Sequence, residues 1–154
     1  MIKMKLLSTA FKHGGKIPSK YTCDGKNISP PLEILAAPKN VKSLALIMED
    51  PDVPKHIRKD GMWDHWVVFN IKPDIKEIAE GNEPGGVQGM TTSGKLGYGG
   101  PCPPDREHRY FFKLFALDTE LDLEEGSTKK EVLDAIEGHI VEEAVLMGRY
   151  ERLR

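Results

Sequence analysis

The chain has 154 residues, of which 39% are hydrophobic and 30% charged, and its net charge is −2. These values are typical of a soluble globular protein, and we expect residues 1–154 to form a single domain. The sequence has no lysine or arginine block, which argues against a nucleic-acid partner, and no apolar run approaches the ~20 residues that span a membrane.

The N-terminal half predicts three strands joined by long loops. Residues 1–11 are too short and too polar a stretch for a signal peptide, so we predict a cytoplasmic protein. The alternation of apolar residues with lysine over residues 1–7 predicts a short, half-buried strand. Residues 11–31 are rich in Gly, Pro, Ser and Asn and predict an irregular loop. Residues 41–49 and 63–71 are apolar on both faces at their centres, which is typical of interior strands.

The C-terminal half predicts one more strand and then helices. Residues 110–117 are aromatic and aliphatic, and they predict a buried strand. Thr128 and Glu131 have the spacing of a helix capping box, and Gly138 is placed to end that helix. A second helix is predicted over residues 139–147. Strands that precede helices in this way indicate a mainly β protein, a β-sandwich with short C-terminal helices.

The two cysteines, Cys23 and Cys102, lie in separate loops rich in glycine and proline. Their spacing is not that of a zinc-binding pair. In a reducing cytoplasm we expect two free thiols rather than a disulfide, although the sequence leaves both states open.

Polar residues border each of the three long strands. Asp50 follows the first, His65 lies near the start of the second, and His108 precedes the third. If antiparallel strands bring these ends together beside the glycine loop at 97–100, we expect a site for a small anion, held by imidazoles and backbone N–H groups. Trp63 and Tyr98 are candidates for its aromatic walls.

Two other interpretations of these residues compete with an anion site. A single histidine in a strand is more often packed in the core than functional. Asp50, Asp52, His65 and His108 also have the side chains of a metal site, and Cys102 is a candidate nucleophile beside His108. No HxH or HxxxH pairing accompanies them, however, and Cys102 lacks a helix N-terminus that would lower its pKa, so we expect no enzyme.

Five segments together resemble the phosphatidylethanolamine-binding protein family, also called Raf-kinase-inhibitor-like proteins, in its bacterial and archaeal branch. These segments are, in order, YTCDGKNISPPL, SLALIMEDPDVP, WDHWVVFNI, GYGGPCPP and HRYFFKLFALD. The resemblance implies two antiparallel β-sheets packed face to face and a cavity that takes phosphate or a phosphoethanolamine head group. It implies no catalysis and no cofactor. By motif, the residues lining the cavity are Asp50, Pro51, His65, Gly100, Pro101 and His108, with Trp63 and Tyr98 adjacent.

The sequence departs from the family's pattern at two places. Ile34 or Leu35 stands where a tryptophan is usual, and Asp105, Arg106 and Glu107 occupy a short link that more often contains glycine. The second departure puts charges at the rim of the expected cavity.

We therefore expect a non-enzymatic protein that binds a small anion or a phosphorylated head group. The alternative is a regulator that inhibits a kinase or protease partner through the cavity rim and the loop at 82–99. The open edges of a sandwich would also permit a homodimer.

Overall fold

A computed structural model describes residues 2–153. Within that range the chain forms eight strands, one α-helix and a 3₁₀ turn at Ser19–Tyr21. The elements are β1 (Lys5–Leu7), β2 (Leu32–Leu35), β3 (Ser43–Asp50), β4 (Trp63–Ile71), β5 (Glu77–Ile78), β6 (Val87–Gln88), β7 (His108–Leu117), α1 (Lys129–Ile136) and β8 (Ile140–Tyr150).

The strands form two antiparallel sheets. The larger sheet has the order β6-β4-β3-β7-β8 and the smaller one the order β1-β2-β5. All eight residues of β3 are buried because this strand lies in the middle of the larger sheet. The mainly β architecture predicted from the sequence is thus confirmed, and the interior strands β3, β4 and β7 lie where the apolar runs indicated.

The main core fills the space between the two sheets. The smaller sheet contributes buried residues such as Leu6 and Ile34, and the larger sheet contributes Met48, Trp66 and Phe112 among others. Burying large apolar side chains of this kind is the main favourable term in folding. Of the two residues that could stand in place of the tryptophan, Ile34 is one of these packed residues, whereas Leu35 is exposed.

A second, smaller core lies on the other face of the larger sheet, where α1 covers it. Val132 and Ile136 of α1 pack against residues such as Val67 and Phe69. The predicted capping box begins the helix: the Glu131 backbone N–H donates to Thr128 Oγ1 at 3.2 Å, and the Thr128 N–H donates to Glu131 Oε1 at 3.0 Å. Gly138 follows the helix with a φ of 82°, as predicted for a helix stop.

The helix predicted over residues 139–147 is wrong, because this segment belongs to β8. Ile140, Val141 and Val145, which suggested a helical face, are exposed, whereas Ala144, Leu146 and Tyr150 are buried with the two-residue period of a strand. The segment pairs with β7 along its whole length, from Leu117 opposite Ile140 to His108 opposite Tyr150. This pairing selects the strand over the helix. No helix in the described part of the chain is long and apolar enough to cross a membrane.

Candidate functional site

Asp50 and His108 meet at one end of the larger sheet. Asp50 ends β3 and His108 begins the neighbouring antiparallel strand β7, so the pairing of the two strands brings them together. Nδ1 of His108 donates to Oδ2 of Asp50 at 2.6 Å, and the two side chains are 0% and 4% exposed. Asp50 also accepts from the Asp52 backbone N–H through Oδ1 at 2.8 Å, which fixes the carboxylate.

The second nitrogen of His108 is bonded to a carboxylate as well. Nε2 lies 2.7 Å from Oδ1 of Asp105, in the charged link that distinguishes this sequence from the family's pattern. A histidine whose two nitrogens both donate is the imidazolium form. The hydrogen bond from His108 lowers the pKa of the Asp105 carboxyl below its ordinary value. His108 is therefore held between two carboxylates.

His65 enters the site from β4 at a β-bulge. Met48 pairs with Trp66 and the next residue of β3, Glu49, pairs with Asp64, so His65 is the extra residue between them. A bulge redirects a side chain out of the regular alternation, which lets His65 and Trp66 both be buried. Nδ1 of His65 lies 2.7 Å from the Gly99 carbonyl oxygen, to which it donates, and burial lowers the pKa of the ring.

Tyr110 lies between the two histidines. Its ring meets that of His65 edge to face, with centroids 5.3 Å apart, and stacks on that of His108 at 6.4 Å. The Tyr110 hydroxyl is buried and makes no hydrogen bond of normal geometry within residues 2–153. Burial raises its pKa, and the charge of the nearby Asp50 carboxylate and a weak hydrogen bond towards it raise the pKa further, so the hydroxyl keeps its proton and is a donor.

A cavity of about 500 Å³ opens beside His65. Four of the eight predicted site residues line it, namely His65, Gly100, Trp63 and Tyr98. Its mouth carries the exposed apolar side chains of Ile57 and Leu96. Lys95 is also in the lining, and its ammonium group has no ion-pair partner in the described residues.

The other four predicted residues do not line this cavity. His108 and Asp50 are buried behind it, and Pro51 lines a separate cavity of about 490 Å³ together with Asp105. Pro101 is buried, and its carbonyl accepts from the Cys23 N–H at 3.1 Å. The expected role of Gly100 is also corrected, because its N–H already donates to Oδ1 of Asn27 at 2.8 Å.

The favoured expectation of two free thiols is wrong. Cys23 and Cys102 form a disulfide with an S–S distance of 2.09 Å. The bond joins the loop at 22–27 to the loop at 97–104, and both cysteines line the cavity. Cys102 is therefore not a free nucleophile.

Sequence reasoning missed two contributors to the site. Tyr110 was predicted only as the first residue of the buried strand over residues 110–117, yet it follows His108 by two residues in a strand and so lies on the same face, which is a usable signal. Asn27 gave no such signal, because its contact with Gly100 depends on the paths of two loops. Among residues 2–153, no group of three His, Cys, Asp or Glu side chains is arranged to hold a metal ion.

Two packed antiparallel sheets, with a loop-walled cavity at the strand ends, define a β-sandwich that contains a cavity at one end. A model of the phosphatidylethanolamine-binding protein family matches residues 7–151, and the chain belongs to this family. The resemblance seen in the sequence is thereby confirmed.

The relatives include both bacterial and archaeal proteins. A UPF0098 protein of Chlamydia pneumoniae is 57% identical over 97% of this chain and 99% of its own length. One of Methanothermobacter thermautotrophicus is 54% identical with the same coverage.

Solved structures agree with the fold. The crystal structure of a phosphatidylethanolamine-binding protein homologue from Chlamydia trachomatis has a TM-score of 0.95 and 51% identity, over 98% of this chain and 99% of that one. An E. coli member of the family gives 0.88 and 28%, over 99% and 100% of the two chains.

Proposed function

We propose that the cavity binds a small phosphorylated ligand, inorganic phosphate or a phosphoethanolamine head group, without catalysing a reaction. The observation that carries the proposal is a pair of adjacent polar groups, on His65 in the cavity wall and on Tyr110, whose ring packs against it. The Tyr110 hydroxyl is buried without a hydrogen bond of normal geometry, and Nε2 of the adjacent His65 has no hydrogen-bond partner within residues 2–153. Buried polar groups are nearly always paired, so the Tyr110 hydroxyl, beside a His65 nitrogen that is open to a partner, favours a ligand that pairs with both.

The charges of the site suit an anion that, once bound, favours the protonated form of His65. In the neutral ring Nδ1 donates to Gly99, so Nε2 is an acceptor until the ring is protonated. A bound phosphate favours the imidazolium, whose Nε2–H then donates to a phosphate oxygen. The Tyr110 hydroxyl is a second donor, and Lys95 at the mouth adds a positive charge.

The size and walls of the cavity favour a ligand larger than phosphate alone. Its volume of about 500 Å³ falls within the range of small-molecule sites. Trp63 and Tyr98 provide aromatic surface in the same cavity as His65, and an aromatic face attracts a cationic group such as an ammonium. These features favour phosphoethanolamine over inorganic phosphate.

Calorimetric titration of phosphate and phosphoethanolamine into purified variants tests the proposal. We expect His65→Ala and Tyr110→Phe each to weaken phosphate binding, His65→Ala by about tenfold or more, since hydrogen bonds to charged groups contribute about 1.5–3 kcal/mol. His108→Ala is expected to weaken it too. His139→Ala is the control, because His139 is exposed and pairs with Asp118 far from the cavity. Unchanged binding in His65→Ala and His108→Ala would contradict the proposal.

The second candidate is a regulator of a kinase or protease. The observation that favours it is the exposure of Ile57 and Leu96, 45% and 38%, on the rim of the cavity. Adjacent exposed apolar side chains are common in protein-binding surfaces. This candidate predicts an association with such a partner that survives loss of both histidines and is weakened by Leu96→Lys. The cytoplasmic location and the homodimer stay predictions.

A further inference from the structure

The link between the proline-rich loop and β7 places a carboxylate on the functional site. Asp105 in this link accepts from Nε2 of His108 at 2.7 Å. His108 is fully buried, whereas the Asp105 side chain is 39% exposed, so Asp105 covers the side of the imidazole that is nearer to solvent. A carboxylate oxygen at this distance from an imidazolium has the same charge and geometry as an oxygen of a bound phosphate.

Apart from its bond to His108, the Asp105 side chain interacts within its own link. It accepts from the Arg106 backbone N–H. Its Oδ2 also lies 3.5 Å from Nε of Arg106, whose side chain is 65% exposed, and exposed ion pairs of this kind contribute little. By contrast, Glu107 forms a bidentate pair with Nη1 of Arg149 at 3.0 and 3.1 Å, and so anchors the end of the link. The Asp105 side chain can therefore leave His108 while the link stays in place.

The position of the link also separates the two cavities. Pro104 lines the cavity that contains His65, and the next residue, Asp105, lines the cavity beside Pro51. His108 lines neither of them. With Asp105 on Nε2, an external anion reaches His65 directly but reaches His108 only by displacing the Asp105 carboxylate.

We propose that the Asp105 carboxylate is a built-in anion that competes with external phosphate for Nε2 of His108, so that residue 105 sets the affinity and charge preference of the site. This inference rests on the proposed function. With Asp105 in place, the site contains its own counter-ion for His108. Once Asp105 is displaced, the imidazolium is available to the phosphate together with His65 and Tyr110.

The test compares inorganic phosphate binding by the wild-type chain, Asp105→Asn and Glu107→Gln. Asp105→Asn keeps the size of the side chain and removes its charge, and we expect phosphate to bind about tenfold more tightly. Glu107→Gln is the matched control, since it removes one negative charge from the same link without touching His108. Its amide oxygen can still accept from Nη1 of Arg149, so the end of the link stays anchored. We expect Glu107→Gln to change the affinity by less than about twofold. Circular dichroism confirms that each variant is folded, and ring NMR signals of His65 and His108 report where phosphate binds.

The outcomes separate this inference from the proposed function. Tighter binding in Asp105→Asn alone, with a shift of the His108 ring signals, supports it. Equal affinity in the wild type and Asp105→Asn, or equal tightening in Glu107→Gln, overturns it while leaving the proposed function intact. If none of the three proteins binds phosphate, both proposals fail.

Discussion

Nδ1 of His108 and Oδ2 of Asp50 lie 2.6 Å apart in the interior, although 58 residues separate them in the chain. The contact depends on the central position of β3, which pairs with β7 on one side and β4 on the other. The same arrangement brings His65 and Tyr110 to the end of the sheet where the cavity opens. The site is therefore a consequence of strand order, and the buried pair fixes one side of it.

Removing the charge of Asp50 should destabilise the protein. Asp50→Asn leaves the imidazole of His108 buried with a weaker acceptor, and we expect the free energy of unfolding to fall by about 2–3 kcal/mol. Urea unfolding followed by tryptophan fluorescence measures this change. The control is Asp118→Asn, which alters a histidine–carboxylate pair whose side chains are 46% and 54% exposed and should change stability little. If the two variants lower the free energy of unfolding equally, the buried pair stabilises the protein no more than the exposed pair does, and the prediction is wrong.

The disulfide should stabilise the fold. It closes a segment of 79 residues, and loop-closure entropy alone corresponds to about 4–5 kcal/mol in the chain-entropy model. We expect the double variant Cys23→Ser/Cys102→Ser to unfold at lower urea concentration than the oxidised wild type, and a reducing agent to lower the wild type's midpoint to a similar extent. Mass spectrometry after alkylation of the unfolded, unreduced protein checks the bond itself. Two alkylated cysteines would show that the thiols are free in solution.

Two adjacent glycines should differ sharply in their tolerance of a side chain. A Cβ on Gly100 would lie 2.2 Å from Oδ1 of Asn27 and 2.5 Å from the Tyr21 carbonyl oxygen, whereas one on Gly99 would meet only the His65 carbonyl oxygen at 3.8 Å. We expect Gly100→Ala to lower the free energy of unfolding by about 1–3 kcal/mol, because the loops must move apart. Gly99→Ala is the matched control and should be near neutral. The prediction fails if the urea midpoints of the two variants coincide.

Stability should depend on pH through His65. Burial holds the pKa of this ring below its ordinary value of about 6.5, so the unfolded chain binds more protons than the native one between the two values. Stability therefore rises with pH across this window, is constant above it, and carries a constant penalty below the native pKa. Unfolding of the wild type and His65→Gln at several pH values measures the contribution. We expect the free energy of unfolding of the wild type minus that of His65→Gln to increase as pH rises towards 6.5. A decrease with pH would contradict the assignment.

The parts of the fold that follow from local pattern were predicted well. The strands β3, β4 and β7 coincide with apolar runs whose residues are mostly buried, and the capping box of Thr128 and Glu131 is a local signal for a helix start. The segment that became β8 was predicted wrongly because its apolar residues fit both periods. Pairing with β7, a long-range effect, selects the strand.

The sequence predicted which residues belong to the candidate site better than it predicted how those residues are arranged. The motifs identified His65, His108 and Asp50, and the structure brings all three to one end of the sheet. The bulge that turns His65 inward, the contact of Asp105 with His108 and the use of the Gly100 N–H by Asn27 depend on loop paths and strand register. Those features have no local sequence pattern, so the sequence alone could not predict them.

The most direct test of the central claim is an NMR titration of the histidine rings with and without phosphoethanolamine. We expect the free protein to show a His65 pKa below about 6.5, because the ring is buried. Adding the ligand should raise that pKa and shift the His65 and His108 signals, while His13, His56 and His139 stay unchanged. If the His65 pKa and ring signals do not respond to the ligand, the cavity is not an anion site and the account is wrong.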